Sequence, residues 1–172
     1  LRDFGLGTLL FDLLTPDEEA EDLVSGSKRF DIGLLSRRLI EATDWVLANQ
    51  VARDLALGYF GASTGAAAAL VAAAKKGNVI RAIVSRGGRP DLAGPSLDKV
   101  KAPVLLIVGG EDDVVIQINR DAMSRIDTKK KLVIVPEATH LFEEPGKLDQ
   151  VARLAADWFV SNLHPMNKIG TS

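Results

Sequence analysis

Residues 61–65, Gly-Ala-Ser-Thr-Gly, follow an apolar run (55–60, LALGYF) without a spacer and lead directly into an alanine-rich stretch (66–75) with Gly77 just beyond it. This junction constrains the fold more than any other feature of the chain. A short apolar run that turns on glycine and continues as a helix is a strand–turn–helix unit. A helix faced with alanine can lie close against a sheet, and glycine at its end suits the reversal that stops it. The turn is tight enough that Ser63 is expected in strained backbone geometry, with glycine at 61 and 65 keeping side chains out of the crowded positions.

The rest of the chain repeats the alternation. Residues 7–14 (GTLLFDLL) read as a short buried strand ended by Thr15-Pro16, and the acidic residues 17–22 as a loop or helix start. Residues 30–49 carry Ile32, Leu35, Leu39, Ile40, Val46 and Leu47 at helical spacing, with Arg37, Arg38, Glu41 and Asp44 between them. Strands are predicted at 79–85, 104–108 and 132–135, and helices at 118–126 and 147–163. In the last helix Val151, Leu154, Ala155, Trp158 and Phe159 share a face. Strands alternating with helices imply an α/β fold, a mostly parallel sheet with helices on both faces. At 172 residues the chain is expected to form one domain, 1–172, with 165–172 as a flexible tail.

Composition removes several function classes. Formal net charge is −2, which gives no general pull toward nucleic acid or anionic membranes. There is no cysteine, so disulfides, thiol nucleophiles and thiolate metal sites are excluded, and a reducing, cytoplasmic setting is expected. No apolar run reaches the ~18–20 residues needed to cross a bilayer. Asp3 and Asp12 interrupt the opening residues, which therefore do not read as a signal peptide. The chain begins with Leu rather than Met and is expected to be a trimmed piece of a longer product.

In open parallel sheets, working residues gather at the carboxyl ends of strands. Ser63 stands at one such end, as a candidate nucleophile in a G-x-S-x-G elbow. A serine hydroxyl needs a general base, and two histidines exist. His140 follows the strand at 132–135, in the loop Glu137-Ala138-Thr139-His140, and is the candidate base. His164, beside Pro165, reads as a solvated terminal residue. The base needs a carboxylate to fix its tautomer, and Asp112 and Asp113 both follow the strand at 104–108. The chain order serine, aspartate, histidine is that of the α/β hydrolases. Arg86 and Arg89, around a glycine pair at another strand end, could receive a substrate carboxylate or could hold the turn. Glu143 and Glu144 are expected to be solvated or to cap the last helix, and two adjacent carboxylates make no metal site. A phosphate-binding loop at 61–65 is the weakest reading, since no lysine stands near the turn.

The stretches RFDIGLL (29–35), GYFGASTGAAAALVAAA (58–74), VSRGGRPDLAG (84–94), APVLLIVGG (102–110) and ATHLFEEPG (138–146) resemble the dienelactone-hydrolase-like branch of the α/β hydrolases. The resemblance runs from about residue 7 to 163. The family's spacing selects Asp112 over Asp113 as the acid. It implies an oxyanion donor at the backbone N–H of Thr64, the residue after the nucleophile, and a second from a loop upstream of 7–14 that these residues do not include. It also implies a strand between 7–14 and 55–60. Serine stands where dienelactone hydrolase has cysteine, so small esters or lactones are the implied substrates, without metal or cofactor, through Ser63, His140 and Asp112. Turnover is expected to be weak with one donor missing. The alternative is a non-catalytic module acting in association, as a homo-oligomer through an exposed sheet edge.

Overall fold

A computed structural model describes residues 1–163 of the chain. Four strands form one parallel sheet in chain order: β1 (Leu57–Ala62), β2 (Ile80–Arg86), β3 (Val104–Gly109) and β4 (Lys130–Val135). Five α-helices accompany them: α1 (Pro16–Ser25), α2 (Ile32–Ala48), α3 (Thr64–Lys76), α4 (Asp113–Arg125) and α5 (Lys147–Asn162). A run of 3-10 turns spans Pro90–Lys99.

The pleat sorts the strand residues onto two faces. Ile83, Val104 and Leu106 meet Leu70 and Ala73 of α3, Leu97 of the 3-10 turns and Ala122 of α4, with Leu39 and Ile40 of α2 against them. On the opposite face Ala82, Val84, Leu105 and Ile107 meet Val151, Ala155, Trp158 and Phe159 of α5. The expected helices on both faces are therefore present. β3, in the middle, is buried along its whole length. Each wholly buried leucine or isoleucine here contributes about 1.5–3 kcal/mol.

The two borders of the sheet differ. β4 carries Lys130 and Lys131, charges that discourage a further strand from pairing there. β1 contains no charged residue, and its Phe60 is 45% exposed.

The strand expected at 7–14 does not form. Residues 6–12 have no regular structure, and Leu10 is 95% exposed. A strand exists only where a ladder partner accepts its hydrogen bonds; β1 pairs with β2 alone among the described residues, so the apolar run does not take up the open edge of β1. After it, Thr15 and Glu18 form a reciprocal capping box that starts α1, with Thr15 N–H donating to Glu18 Oε2 at 2.9 Å and Glu18 N–H donating to Thr15 Oγ1 at 3.3 Å. Arg38 of α2 donates to Glu18 Oε1 at 2.6 Å and to the Leu13 carbonyl at 2.7 Å, which ties this segment to the body. Hydrogen bonding from Arg38, followed by that of the Thr15 backbone, lowers the Glu18 carboxyl to about 2. His164 and the tail expected at 165–172 lie outside the described residues.

Candidate active site

Ser63 sits between the end of β1 and the first residue of α3. Its backbone has φ 49° and ψ −122°, the strain expected of this turn. Its N–H donates to the Arg86 carbonyl at 3.2 Å, and its carbonyl accepts from Ala66 N–H and Arg89 N–H, each at 3.1 Å. A Cβ on Gly61 would lie 2.5 Å from the Gly65 carbonyl oxygen and 2.7 Å from Ala66 N, so only glycine fits there. The same reason was expected to hold at Gly65 and does not. A Cβ there would meet nothing within 4 Å, because that Cα faces open space. Thr64 opens α3, and its N–H is among those an α-helix leaves without an internal partner.

Asp112 and His140 are brought together. His140 Nδ1–H donates to Asp112 Oδ2 at 2.6 Å, which leaves Nε2 as the ring nitrogen able to take a proton. The side chain of His140 is 40% exposed to solvent. The other Asp112 oxygen, Oδ1, accepts from Val115 N–H at 3.4 Å and caps α4. That cap explains why α4 begins at 113 rather than at the expected 118. Asp113 lies in the first turn of the helix, away from this bond.

Residues 86–89 join the two halves of the site. Ser63 hangs on the carbonyl of Arg86 and the N–H of Arg89, as given above. Gly87 N–H donates to the Ile107 carbonyl at 2.8 Å. Gly87 has φ 50°, and a Cβ on it would lie 3.2 Å from the His140 carbonyl oxygen and 3.4 Å from its ring Cε1. His140 thus rests on the segment that holds Ser63. A Cβ on Gly109 would lie 2.4 Å from the Ala138 carbonyl oxygen and 2.5 Å from that of Thr139, so the His140 loop also presses on the end of β3.

The two arginines part company. Arg89 clasps Asp91 with both ends of its fork, at 2.9 and 2.7 Å, and this hydrogen bonding holds the Asp91 carboxyl below its usual range. Arg89 therefore holds the turn. Arg86, paired with Ala62 across the sheet, places its guanidinium 5.8 Å from the Phe142 ring centre and donates to the Leu141 carbonyl at 3.3 Å. That single backbone contact leaves most of its five donors for another partner.

Three features of the site had escaped sequence reasoning. Besides Ser63, the non-glycine residues with positive φ among those described are Glu137 and Phe142, at 57° and 59°, on either side of His140. Such conformations cost about 1–3 kcal/mol each and persist only where packing imposes them; Phe142 is wholly buried. Second, Glu144 neither caps α5, whose N-cap Gly146 makes no side-chain bond, nor faces solvent freely. Its Oε1 accepts from Thr139 N–H at 3.0 Å, clipping the base loop, and that contact lowers its carboxyl below the usual range. Third, Asn119 of α4 is wholly buried and donates through Nδ2 to the carbonyls of Gly88, at 3.0 Å, and Val115, at 2.8 Å. Its Oδ1 is buried without a partner, which costs about 1–3 kcal/mol. The signal was present: a polar residue on the same helical stripe as Val115 and Ala122, facing the interior.

Among the described residues no cluster of three or more His, Asp or Glu could hold a metal ion, and no helix is long and apolar enough to cross a membrane.

The dienelactone hydrolase family model matches residues 15–168. A crystal structure of dienelactone hydrolase from Anabaena variabilis is 57% identical and superposes with a TM-score of 0.86, covering 89% of this chain and 71% of its own. A dienelactone hydrolase-like promiscuous phosphotriesterase from metagenomic libraries shares the fold at 17% identity, with a TM-score of 0.69 over 94% of this chain and 77% of its own. Proteins from two strains of Mycobacterium tuberculosis, provisionally named phosphoribosyl transferases, are 58% identical over 163 residues. That match covers 95% of this chain but 36% of theirs, so the chain spans about a third of the length of these curated relatives.

Proposed function

We propose, from the premise that the chain belongs to the dienelactone hydrolase family of α/β hydrolases, that it is a serine hydrolase of small carboxylic esters or lactones working through an acyl-enzyme. The observation that carries this reading is the 2.6 Å hydrogen bond from His140 to Asp112, on a loop resting against the segment that anchors the strained Ser63. Ser63 Oγ attacks the ester carbonyl while His140 Nε2 takes its proton. Asp112 keeps the proton of the ring on Nδ1 and stabilises the imidazolium that forms. The Thr64 N–H faces the oxyanion at the start of α3, where the helix dipole favours negative charge. His140 then returns the proton to the leaving alcohol, and water repeats the sequence on the acyl-enzyme. Arg86 is the group we assign to a carboxylate elsewhere on the substrate, since its free donors suit a bidentate contact.

We assign one oxyanion donor to Thr64 and the second to a loop of the kind the family carries ahead of its first helix. Losing one such donor costs about 10²–10³ in turnover. The 172-residue chain should therefore react with a fluorophosphonate probe at Ser63 but hydrolyse p-nitrophenyl esters slowly. A form extended to the length of the Anabaena relative should be faster by that factor. Labelling that survives Ser63→Ala, or no labelling of the extended form, would refute the nucleophile. The name of the mycobacterial relatives concerns proteins of which this chain matches 36%, and we assign the hydrolase chemistry, not phosphoribosyl transfer, to the segment they share with this chain.

An association role is the second reading. It is favoured by the uncharged border of the sheet at β1 with Phe60 exposed on it. A dimer seen by sedimentation, with no labelling in either form, would select it.

A further inference from the structure

We infer that Asn119 is a positioning residue that holds the nucleophile turn in register with the acid–base pair. The inference rests on the reading of Ser63, Asp112 and His140 given above. α4 carries Asp112 at its N-cap and Asn119 about two turns later, on the same face. Both side chains address one residue: Asp112 accepts from Val115 N–H, and Asn119 donates to the Val115 carbonyl. The second Asn119 donor leaves the helix for the Gly88 carbonyl.

Gly88 has little freedom to move otherwise. A Cβ on it would lie 2.0 Å from Ser85 Oγ and 2.7 Å from Ala66 Cβ, so its backbone is pressed against the end of β2 and the first turn of α3. Its neighbour Arg89 donates to the Ser63 carbonyl, and its neighbour Gly87 bears on the His140 ring. One side-chain amide thus connects the helix that begins with the acid to the backbone that grips the nucleophile.

The orphaned Oδ1 argues for the same role. Two carbonyl oxygens fix the amide orientation, because a flipped amide would set oxygen against oxygen. The residue therefore sits in the interior with an acceptor unsatisfied, and its two donations are the function it performs. A leucine of similar volume would fill the space without the orphan and without the tie.

The test is the rate at which an alkyl fluorophosphonate labels Ser63, followed from pH 5 to 8. In Asn119→Leu the rate should fall tenfold to hundredfold, as expected of a sub-ångström displacement of reacting groups. The pH dependence that His140 imposes should flatten as well, which a loss of stability alone would not produce. A rate and pH profile within twofold of the parent chain would overturn the inference. Should Asn119→Leu fail to fold, the unsubstituted chain supplies the answer. Phosphonylation of Ser63 should shift the side-chain amide resonances of Asn119 and leave those of Asn49 in place; no shift at Asn119 overturns the inference. If neither the parent chain nor the extended form is labelled, the nucleophile reading fails on its own. The tie is then judged from the His140 ring resonances, which Asn119→Ser moves if the tie exists and leaves unmoved if it does not.

Discussion

Replacing Asp112 by asparagine separates two tasks that its two oxygens perform. Oδ2 accepts from His140 at 2.6 Å, and Oδ1 accepts from Val115 N–H at 3.4 Å to cap α4. Asparagine has a single acceptor oxygen for these two donors. It satisfies both contacts in one arrangement: its oxygen caps the helix and its NH₂ faces Nδ1, which must then be unprotonated. That arrangement puts the ring proton on Nε2, and the base can no longer accept from Ser63. In another enzyme's triad the same change lowers kcat by about 10⁴, which is about 5.5 kcal/mol of transition-state stabilisation at 1.36 kcal/mol per decade. The cap survives, since asparagine and aspartate are near-equal N-caps, and only the charge beside the helix dipole is lost, worth about 0.3–1 kcal/mol. A chain of this size converts that into a fall in Tm of roughly 1–4 °C. The assay is the fluorophosphonate labelling rate and kcat/KM on p-nitrophenyl acetate, with a thermal melt beside them and Asp113→Asn as control. Asp112→Asn within tenfold of the parent would refute the tautomer argument. A loss in Asp113→Asn instead would move the acid by one residue.

Two further outcomes follow from the packing and the ionisation. Gly109→Ala puts a methyl within 2.4–2.5 Å of two backbone oxygens of the base loop, neither of which can rotate away; labelling should fall about 100-fold and stability by about 1–3 kcal/mol, and a variant with the parent's labelling rate would show that the loop is looser than its contacts imply. Glu18, lowered from 4.5 to about 2, contributes stability above its unfolded value that is lost as pH falls through its folded one, so residues 13–30 should loosen between about pH 4.5 and 2. Amide signals of Thr15 and Glu18 should change across that window ahead of those of β3, and one concerted transition would contradict it.

The sequence carried the central strands and helices plainly, because residues such as 104–108 and 66–70 are buried on every side that periodicity can report. It also placed Ser63, Asp112 and His140 beyond the ends of strands, and the structure brings the last two into hydrogen-bond contact. It misplaced residues 7–14, where an apolar run reads as a strand whether or not a neighbour exists to pair with it; pairing is a property of the assembly, not of the run. It started α4 five residues late, because the cap and the acid are the same aspartate and only one task was read. Arg89 was left open between a substrate contact and a hold on the turn, although Asp91, two residues on, could have been seen as its partner. Asn119 showed as a polar residue on a buried stripe, but its partner Gly88 did not show. The positive φ values at Glu137 and Phe142 were out of reach, because they are imposed by packing that no local pattern encodes.

Gly61 and Gly109, together with Gly87, bring main chain against main chain around the site. The consequence concerns which motions can disturb it. Side-chain rotamer exchange runs on picoseconds to nanoseconds, whereas displacement of packed backbone needs collective motion at microseconds or longer. Separations set by main-chain contact are therefore averaged over the slow class alone. Warming the chain short of unfolding should widen the dispersion of surface side chains well before it changes how Ser63 stands relative to His140.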